Sequence, residues 1–176
     1  MTNILIFFLQ ESLNWTTKAS SGTLVVVGII AIIVQGGLIG PLVKQFGEMR
    51  LTLIGSGFIL VACILLITAP KENATINIYS AVSFLAVGAG LITPTLRALI
   101  SKKLDIDKQG SILSNLQGLQ SLGGVLGIAM AGRVYDSFGP KSPFIAGSVI
   151  LLFMIYLIAE GKSNDSLINQ KSKVLK

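Results

Sequence analysis

The stretch "GGLIGPLVKQFGEMR", residues 36–50, decides how the chain is organised. A 25-residue run without charged side chains, 19–43, ends inside it, and a 20-residue uncharged run, 51–70, follows it. About 20 helical residues are enough to cross the roughly 30 Å of a bilayer's hydrocarbon core. The stretch is therefore predicted to be a tight turn between two membrane-spanning helices.

Three more uncharged runs follow, at 73–96, 109–132 and 142–159. Hydrophobic residues make up 52% of the chain and charged residues 12%, whereas soluble domains have about 25% charged residues. Five such runs in 176 residues leave no room for a soluble core. The sequence thus predicts an all-α membrane protein.

The predicted bundle covers residues 1–161. It consists of a partial helix at 2–13 and helices at 16–45, 49–70, 74–102, 106–135 and 141–160. The apolar stretch 4–9 is too short to cross a bilayer and lacks the features of a signal peptide, so we expect the end of a helix whose beginning is missing. Residues 162–176 are expected to form a polar, disordered cytoplasmic tail.

The cations are unevenly divided between the two ends of the predicted helices. One end has nine (Lys44, Arg50, Lys102, Lys103, Lys108, Lys162, Lys171, Lys173 and Lys176), and the other has four (Lys18, Lys71, Arg133 and Lys141). The positive-inside rule puts the first group and the C-terminus in the cytoplasm, with the chain integral to the cell (inner) membrane. Because the net charge of +6 flanks the spans, the expected partner is the lipid bilayer and not a nucleic acid.

The residue inventory offers little for catalysis or metal binding. The chain has no histidine and a single cysteine, Cys63, and no phosphate-binding loop or nucleophile–base set can be assembled. We therefore expect no enzyme activity, no cofactor and no metal site. The cation that belongs to neither group is Arg97, near the cytoplasmic end of its predicted helix, and its side chain is expected to snorkel to the cytoplasmic surface.

The run 109–132 differs from the other runs because thirteen of its 24 residues are Gly, Ser, Asn or Gln. Polar side chains in a membrane helix pack against other helices or line water. At about 100° per residue, they cover one arc of the helix. The predicted substrate cavity or interdomain face consists of Ser114, Asn115, Gln117, Ser121 and, from the preceding helix, Thr93.

Glycines and one proline mark places of close packing or bending. The pairs Gly123/Gly127 and Gly36/Gly40 have the spacing of helix-packing motifs, which we favour over ligand contact. In 74–102, Gly88 and Gly90 precede Pro94, and proline removes a backbone hydrogen bond. Either a gating bend or static packing fits this pattern.

The opening stretch resembles the loop signature of the major facilitator superfamily. The matching residues are Gly40, Leu42, Phe46, Gly47 and Arg50, while Lys44 and Glu48 invert the usual charges. The candidate loop motif is Gly40, Lys44, Phe46, Gly47 and Arg50. Gly40 is expected to allow close packing, and Gly47 is expected to allow a turn with positive φ.

A second segment, "GAGLITPTLRALISKKLDIDKQGSILSNLQGLQSLGGVLG" (88–127), resembles the tenth helix, loop and eleventh helix of drug/proton antiporters of the tetracycline-efflux type. The matching residues are Gly88, Gly90, Pro94, Ser101, Gln109, Gly110, Ser121 and Leu122. The resemblance implies the C-terminal-half helical bundle of a major facilitator fold, with the first of its six helices truncated. In that fold the substrate lies between two halves.

The resemblance implies a secondary active transporter, with proton-coupled efflux of a small organic compound. All Asp and Glu residues lie outside the five runs predicted to cross the membrane, so the proton carrier would belong to the other half. The alternative is a non-transporting fragment or split-gene half that needs a separate N-terminal half or a second copy. A small pore-forming or regulatory membrane protein is the third possibility, and it fits the loops less well.

Overall fold

The computed structural model describes residues 17–69, 74–102 and 106–174, and every regular element in these ranges is helical. The helices are α1 (Thr17–Ile33), a π-helical segment (Val34–Leu38), α2 (Ile39–Phe46), α3 (Glu48–Thr68), α4 (Ala74–Lys102), α5 (Ile106–Phe138) and α6 (Ser142–Val174). The predicted all-α class is confirmed. The partial helix expected at 2–13 lies outside the described residues.

The first helix runs from α1 to α2 without a break, through one wider turn. The π segment has the sequence VQGGL, and its flanking residues Ile33 and Ile39 both have right-handed helical angles. Single π turns inside α-helices often lie at functional sites. Val34 is buried there, whereas Gly36 and Gly37 are exposed.

Helices α3 and α4 form the core of the bundle, and two glycines let them approach closely. A Cβ atom added at Gly88 would lie 2.6 Å from the carbonyl oxygen of Gly55 and 3.1 Å from the amide nitrogen of Ile59. Backbone atoms cannot give way as a flexible side chain can. Glycine is therefore required at Gly88 for this helix crossing.

A buried hydroxyl pair also joins α3 to α4. Thr52 Oγ1 lies 3.0 Å from Thr95 Oγ1, and Thr95 also donates to the carbonyl of Leu91. Both threonines are fully buried, and Ser56 donates to the carbonyl of Thr52. Each hydroxyl thus has a partner, as a low-dielectric setting demands.

Apolar clusters attach the remaining helices to the α3–α4 pair. One cluster consists of Leu66, Ile78, Ala81, Val82 and Phe144, and through Phe144 it brings in α6. A second consists of Val34, Leu51 and Leu91, and it brings in the π segment. Both clusters centre on α3 and α4, so these two helices organise the fold.

Helix α5 lies largely apart from this core. Its central residues 117–130 are all exposed, including Leu119 and Val125, each with 68% of its surface accessible. Near its start, the Gln109 side chain donates to the carbonyl of Ser101 in α4 at 3.1 Å. The middle of α5 therefore presents a surface that no described residue covers.

Three described helices are long and apolar enough to cross a membrane: Ser21–Phe46, Glu48–Thr68 and Thr75–Lys102. The sequence predicts five spans. In α6 the described apolar part is Ser142–Ile158, and α5 is diluted by the polar residues noted above. The chain is an integral membrane protein in which α5 needs a polar environment on one side.

The last helix continues past its predicted end at residue 160. In the structure α6 reaches Val174, so the segment expected to be a disordered tail is helical for most of its length. The sequence contains no proline after Pro143 and no glycine after Gly161. Nothing in the local sequence therefore forces the helix to stop where hydropathy falls.

Candidate functional site

The turn between α2 and α3 depends on one glycine. Gly47 has φ 77° and ψ 158°, a conformation that is almost exclusive to glycine. Its N–H donates to the carbonyl of Val43 at 2.9 Å, and its own carbonyl accepts from the N–H of Leu51 at 3.1 Å. The positive φ predicted for Gly47 is present, and it lets one residue end α2 and begin α3.

The other motif residues lie around this turn on the surface. Lys44, Phe46 and Arg50 are exposed, and an atom added at Gly40 would have no neighbour within 4 Å. The close packing expected at Gly40 is thus absent among the described residues. The reason is that the helix turns this face away from α3 and α4.

An ion pair ties the turn to the end of α4. Lys102 Nζ contacts the Glu48 carboxylate, which links the first residue of α3 to the last residue of α4. The sequence gives no indication of this pair, since 54 positions separate the two residues. It holds the ends of the two core helices together at one side of the bundle.

The residues predicted to form the cavity or interdomain face are all exposed. Ser114, Asn115, Gln117 and Ser121 lie on the surface of α5, and Thr93 lies on the surface of α4. The Ser121 hydroxyl donates to the Gln117 carbonyl of its own helix. The side chain that the structure joins to another helix is Gln117, which accepts a hydrogen bond from Arg97.

The Arg97 side chain joins α4 to α5 through its hydrogen bond to Gln117. The Ser101–Gln109 and Arg97–Gln117 contacts both join α4 to α5. The two contacts are four positions apart along α4, a rise of about 6 Å, but eight positions apart along α5, a rise of about 12 Å. The two long side chains can span that difference together, because α4 and α5 run in opposite directions and side chains tilt towards the N-terminus of their own helix. The expected snorkelling of Arg97 stays a prediction.

The predicted bending and packing residues divide into two groups. Gly88 and Gly90 lie in close helix contacts, and α4 continues through Pro94 without a break. In contrast, Gly123 and Gly127 have no neighbour within 4 Å of an added Cβ. The packing expected at these two α5 glycines is absent from the described part of the chain, because α5 stands apart from the core there.

Gly123 and Gly127 instead line an apolar groove of about 350 Å³ between α5 and α6. Pro143, Phe144 and Gly147 form its other wall. The groove is continuous with the exposed surface of α5. It shows that these two helices are joined more loosely than α3 and α4.

One polar residue near the core was not identified from the sequence. Gln35 lies in the π segment, and its Nε2 is 3.8 Å from the position that a Cβ on Gly90 would occupy. Because Gly90 is one turn before Pro94, the wider turn of the first helix lies against the proline-containing part of α4. The QGG sequence at 35–37, a polar residue beside two glycines in an apolar run, is only a weak indication of this wider turn.

Within the described ranges, no three His, Cys, Asp or Glu side chains come together as metal ligands would. The polar groups on the exposed face are amides, hydroxyls and one guanidinium. Such groups can hydrogen-bond a ligand and attract an anion.

Residues 1–128 of the chain match the Major Facilitator Superfamily. Because this match covers more than half of the 176 residues, the chain belongs to that superfamily of membrane transporters. The family predicted from the loop and the 88–127 segment is confirmed.

Several relatives are resistance proteins. The class C tetracycline resistance protein of Escherichia coli is 26% identical over 130 residues, 74% of this chain and 32% of that protein. The class H protein of Pasteurella multocida is 27% identical over 76% of this chain and 32% of its own length. The quinolone resistance protein NorB of Staphylococcus aureus is 24% identical over 90% of this chain and 37% of its own length.

The chain spans about a third of the length of these relatives. No solved structure matches it significantly. The comparisons therefore give the family. The exposed face of α5 is the surface that no described part of the chain covers.

Proposed function

We propose that the chain is the C-terminal helical bundle of a secondary active transporter that exports a small organic compound in exchange for protons. The observation that most supports this is the exposed α5 face with Gln117 and Ser121, beside exposed Thr93 of α4. In a bilayer, such a face needs water, a ligand or another helix.

Transport, in this proposal, requires a second helical bundle opposite α5. The chain spans about a third of its tetracycline-resistance relatives, and transporters of this kind bind substrate between two halves. All Asp and Glu residues lie outside the five runs predicted to cross the membrane, so the partner would supply the carboxylate that carries the proton. The lipid bilayer and the small-molecule substrate are the other proposed partners.

The orientation that we propose puts the Gly47 turn and the C-terminus in the cytoplasm. Lys44, Arg50 and Lys102 lie at the same side of the bundle, as the Glu48–Lys102 ion pair requires. The cytoplasmic side of membrane proteins is enriched in lysine and arginine. The membrane would be the inner membrane of the cell.

The proposal is tested by transport in inverted membrane vesicles. The chain is expressed alone or together with the N-terminal half of the class C tetracycline resistance protein, and proton-driven tetracycline uptake is measured. We expect no uptake by the chain alone and uptake by the pair.

Two results would contradict the proposal. Uptake by the chain alone would refute the need for a second bundle. A pair that copurifies in stable form but takes up no drug would refute efflux of this substrate class. Copurification is the control, because it separates failed assembly from failed transport.

A further inference from the structure

Arg97 is a positive charge within the candidate membrane span Thr75–Lys102, and it forms no ion pair with a described carboxylate. Among the described residues, the one ion pair is Glu48–Lys102, and Arg97 contacts the neutral amide of Gln117. A guanidinium within a membrane-spanning helix is costly unless an anion or water compensates it. The charge is thus available to a group from outside the described part of the chain.

Most N–H donors of the Arg97 guanidinium have no partner among the described residues. A guanidinium has five N–H donors in a flat fork, and the recorded bond to Gln117 Oε1 involves Nη2. Arg97 and Gln117 are both exposed, so a ligand can reach them from the uncovered face. The Gln117 amide orients the Arg97 guanidinium without neutralising its charge.

We infer that Arg97, held in place by Gln117, binds an oxyanion: the carboxylate, sulfonate or phosphate of an amphipathic molecule. Planar guanidinium groups bind such groups through two parallel hydrogen bonds. Exposed Thr93, one turn before Arg97, adds a hydroxyl on the same side of α4. The inference rests on the proposed function in one respect, since it places the site on the face assigned to the substrate cavity.

The test uses two dyes that differ by one sulfonate. The chain is reconstituted in phosphatidylcholine nanodiscs, and the fluorescence of 8-anilinonaphthalene-1-sulfonate is compared with that of uncharged N-phenyl-1-naphthylamine. In Arg97→Gln we expect the affinity for the sulfonate to fall about tenfold or more, because a charge-assisted bidentate contact is lost. The affinity for the uncharged dye should stay the same.

The matched control is Arg133→Gln, which removes an equal charge from an exposed position near the other end of α5. It should change neither affinity. Equal sulfonate binding by Arg97→Gln and Arg133→Gln would overturn the inference, as would an equal loss of both dyes in Arg97→Gln.

A second variant keeps the test decisive if Arg97→Gln does not fold. Arg97→Lys keeps the charge but loses the planar fork, so sulfonate binding should weaken several-fold. An unchanged affinity in Arg97→Lys would refute recognition by the guanidinium. Circular dichroism and size-exclusion elution establish folding for each variant.

Adding phosphatidylglycerol to the nanodiscs identifies the source of the oxyanion. If lipid headgroups occupy the site, this lipid will weaken sulfonate binding to the wild type and not to Arg97→Gln. If the site takes a soluble amphipathic anion, the lipid will have no effect; either result supports the oxyanion site. Because dye binding needs no transport, failure of the proposed efflux would not change these results.

Discussion

Gly47 shows how a single residue determines the first helical connection. The polar residues around it are common in any loop, but the backbone angles at Gly47 are open to glycine alone. The N–H and the carbonyl of Gly47 are both used, one to end α2 and the other to begin α3. Gly47 is therefore the single residue between the two helices.

Replacing Gly47 by alanine should destabilise the bundle by about 1–3 kcal/mol, because the Cβ makes the observed φ and ψ unfavourable. The measurement is unfolding in detergent, followed by circular dichroism during SDS titration. Gly28→Ala in α1 is the control, since an atom added at Gly28 meets nothing within 4 Å and its φ is not positive. Equal stability of the two variants would show that the turn tolerates another conformation.

Arg97 shows what the sequence could not give at the residue scale. Its distance from the helix end suggests that the side chain reaches the surface, because arginine is long enough to do so. The partner, Gln117, lies on another helix, and its depth depends on how α4 and α5 are aligned. Alignment of neighbouring helices is a tertiary property that charge and hydropathy patterns do not contain.

At the scale of elements, hydropathy predicts the helices well and their contacts poorly. The uncharged runs and the Gly47 turn are readable because desolvation and backbone sterics are local effects. The glycines at 88, 90, 123 and 127 look alike in sequence. Among the described residues, Gly88 and Gly90 lie in close contact with another helix, whereas Gly123 and Gly127 line a groove, so the packing role depends on how each helix is rotated and placed.

The α3–α4 crossing should be sensitive to a single methyl group. In Gly88→Ala the added Cβ would lie 2.6 Å from the carbonyl oxygen of Gly55, so the helices must separate, at a cost of about 1–3 kcal/mol. The same SDS titration measures it.

Gly57→Ala is the matched control, because Gly57 lies in α3 with open space around it. Alanine is a better helix former than glycine, so this control should keep or slightly raise the stability. A Gly88→Ala protein as stable as Gly57→Ala would contradict the close crossing.

At the scale of the whole molecule, the exposed surface is of two chemical kinds. The predicted cavity face on α5 is polar, with Gln117 and Ser121, whereas α6 exposes Phe153 and Leu152. The sequence predicts this contrast from composition. It does not reveal that α5 stands apart from the core, since a helix's neighbours cannot be read from its own residues.

Thiol labelling distinguishes the two kinds of surface. In vesicles, Ser121→Cys should react with a water-soluble maleimide, because a polar face lines water, while Phe153→Cys should not, because it faces lipid. Both positions are exposed in the structure, so steric access alone predicts equal labelling. Cys63, 1% exposed, should give little background. If Phe153→Cys is labelled and Ser121→Cys is not, water lies at the α6 surface and not at α5, which would contradict the proposed cavity.

The π-helical turn at Val34–Leu38 has a consequence for how the first helix must be mapped. A π turn holds an extra residue, so the repeat of 3.6 residues loses its phase there. Positions before Val34 and after Leu38 that a regular helical wheel would put on one side are therefore offset around the axis. A scan of lipid and water accessibility along residues 21–46 would show a helical periodicity before and after the π turn, with the second part shifted in phase by about one residue. Deleting one of the exposed glycines, Gly36 or Gly37, should remove this phase shift, so that one helical periodicity describes the whole segment.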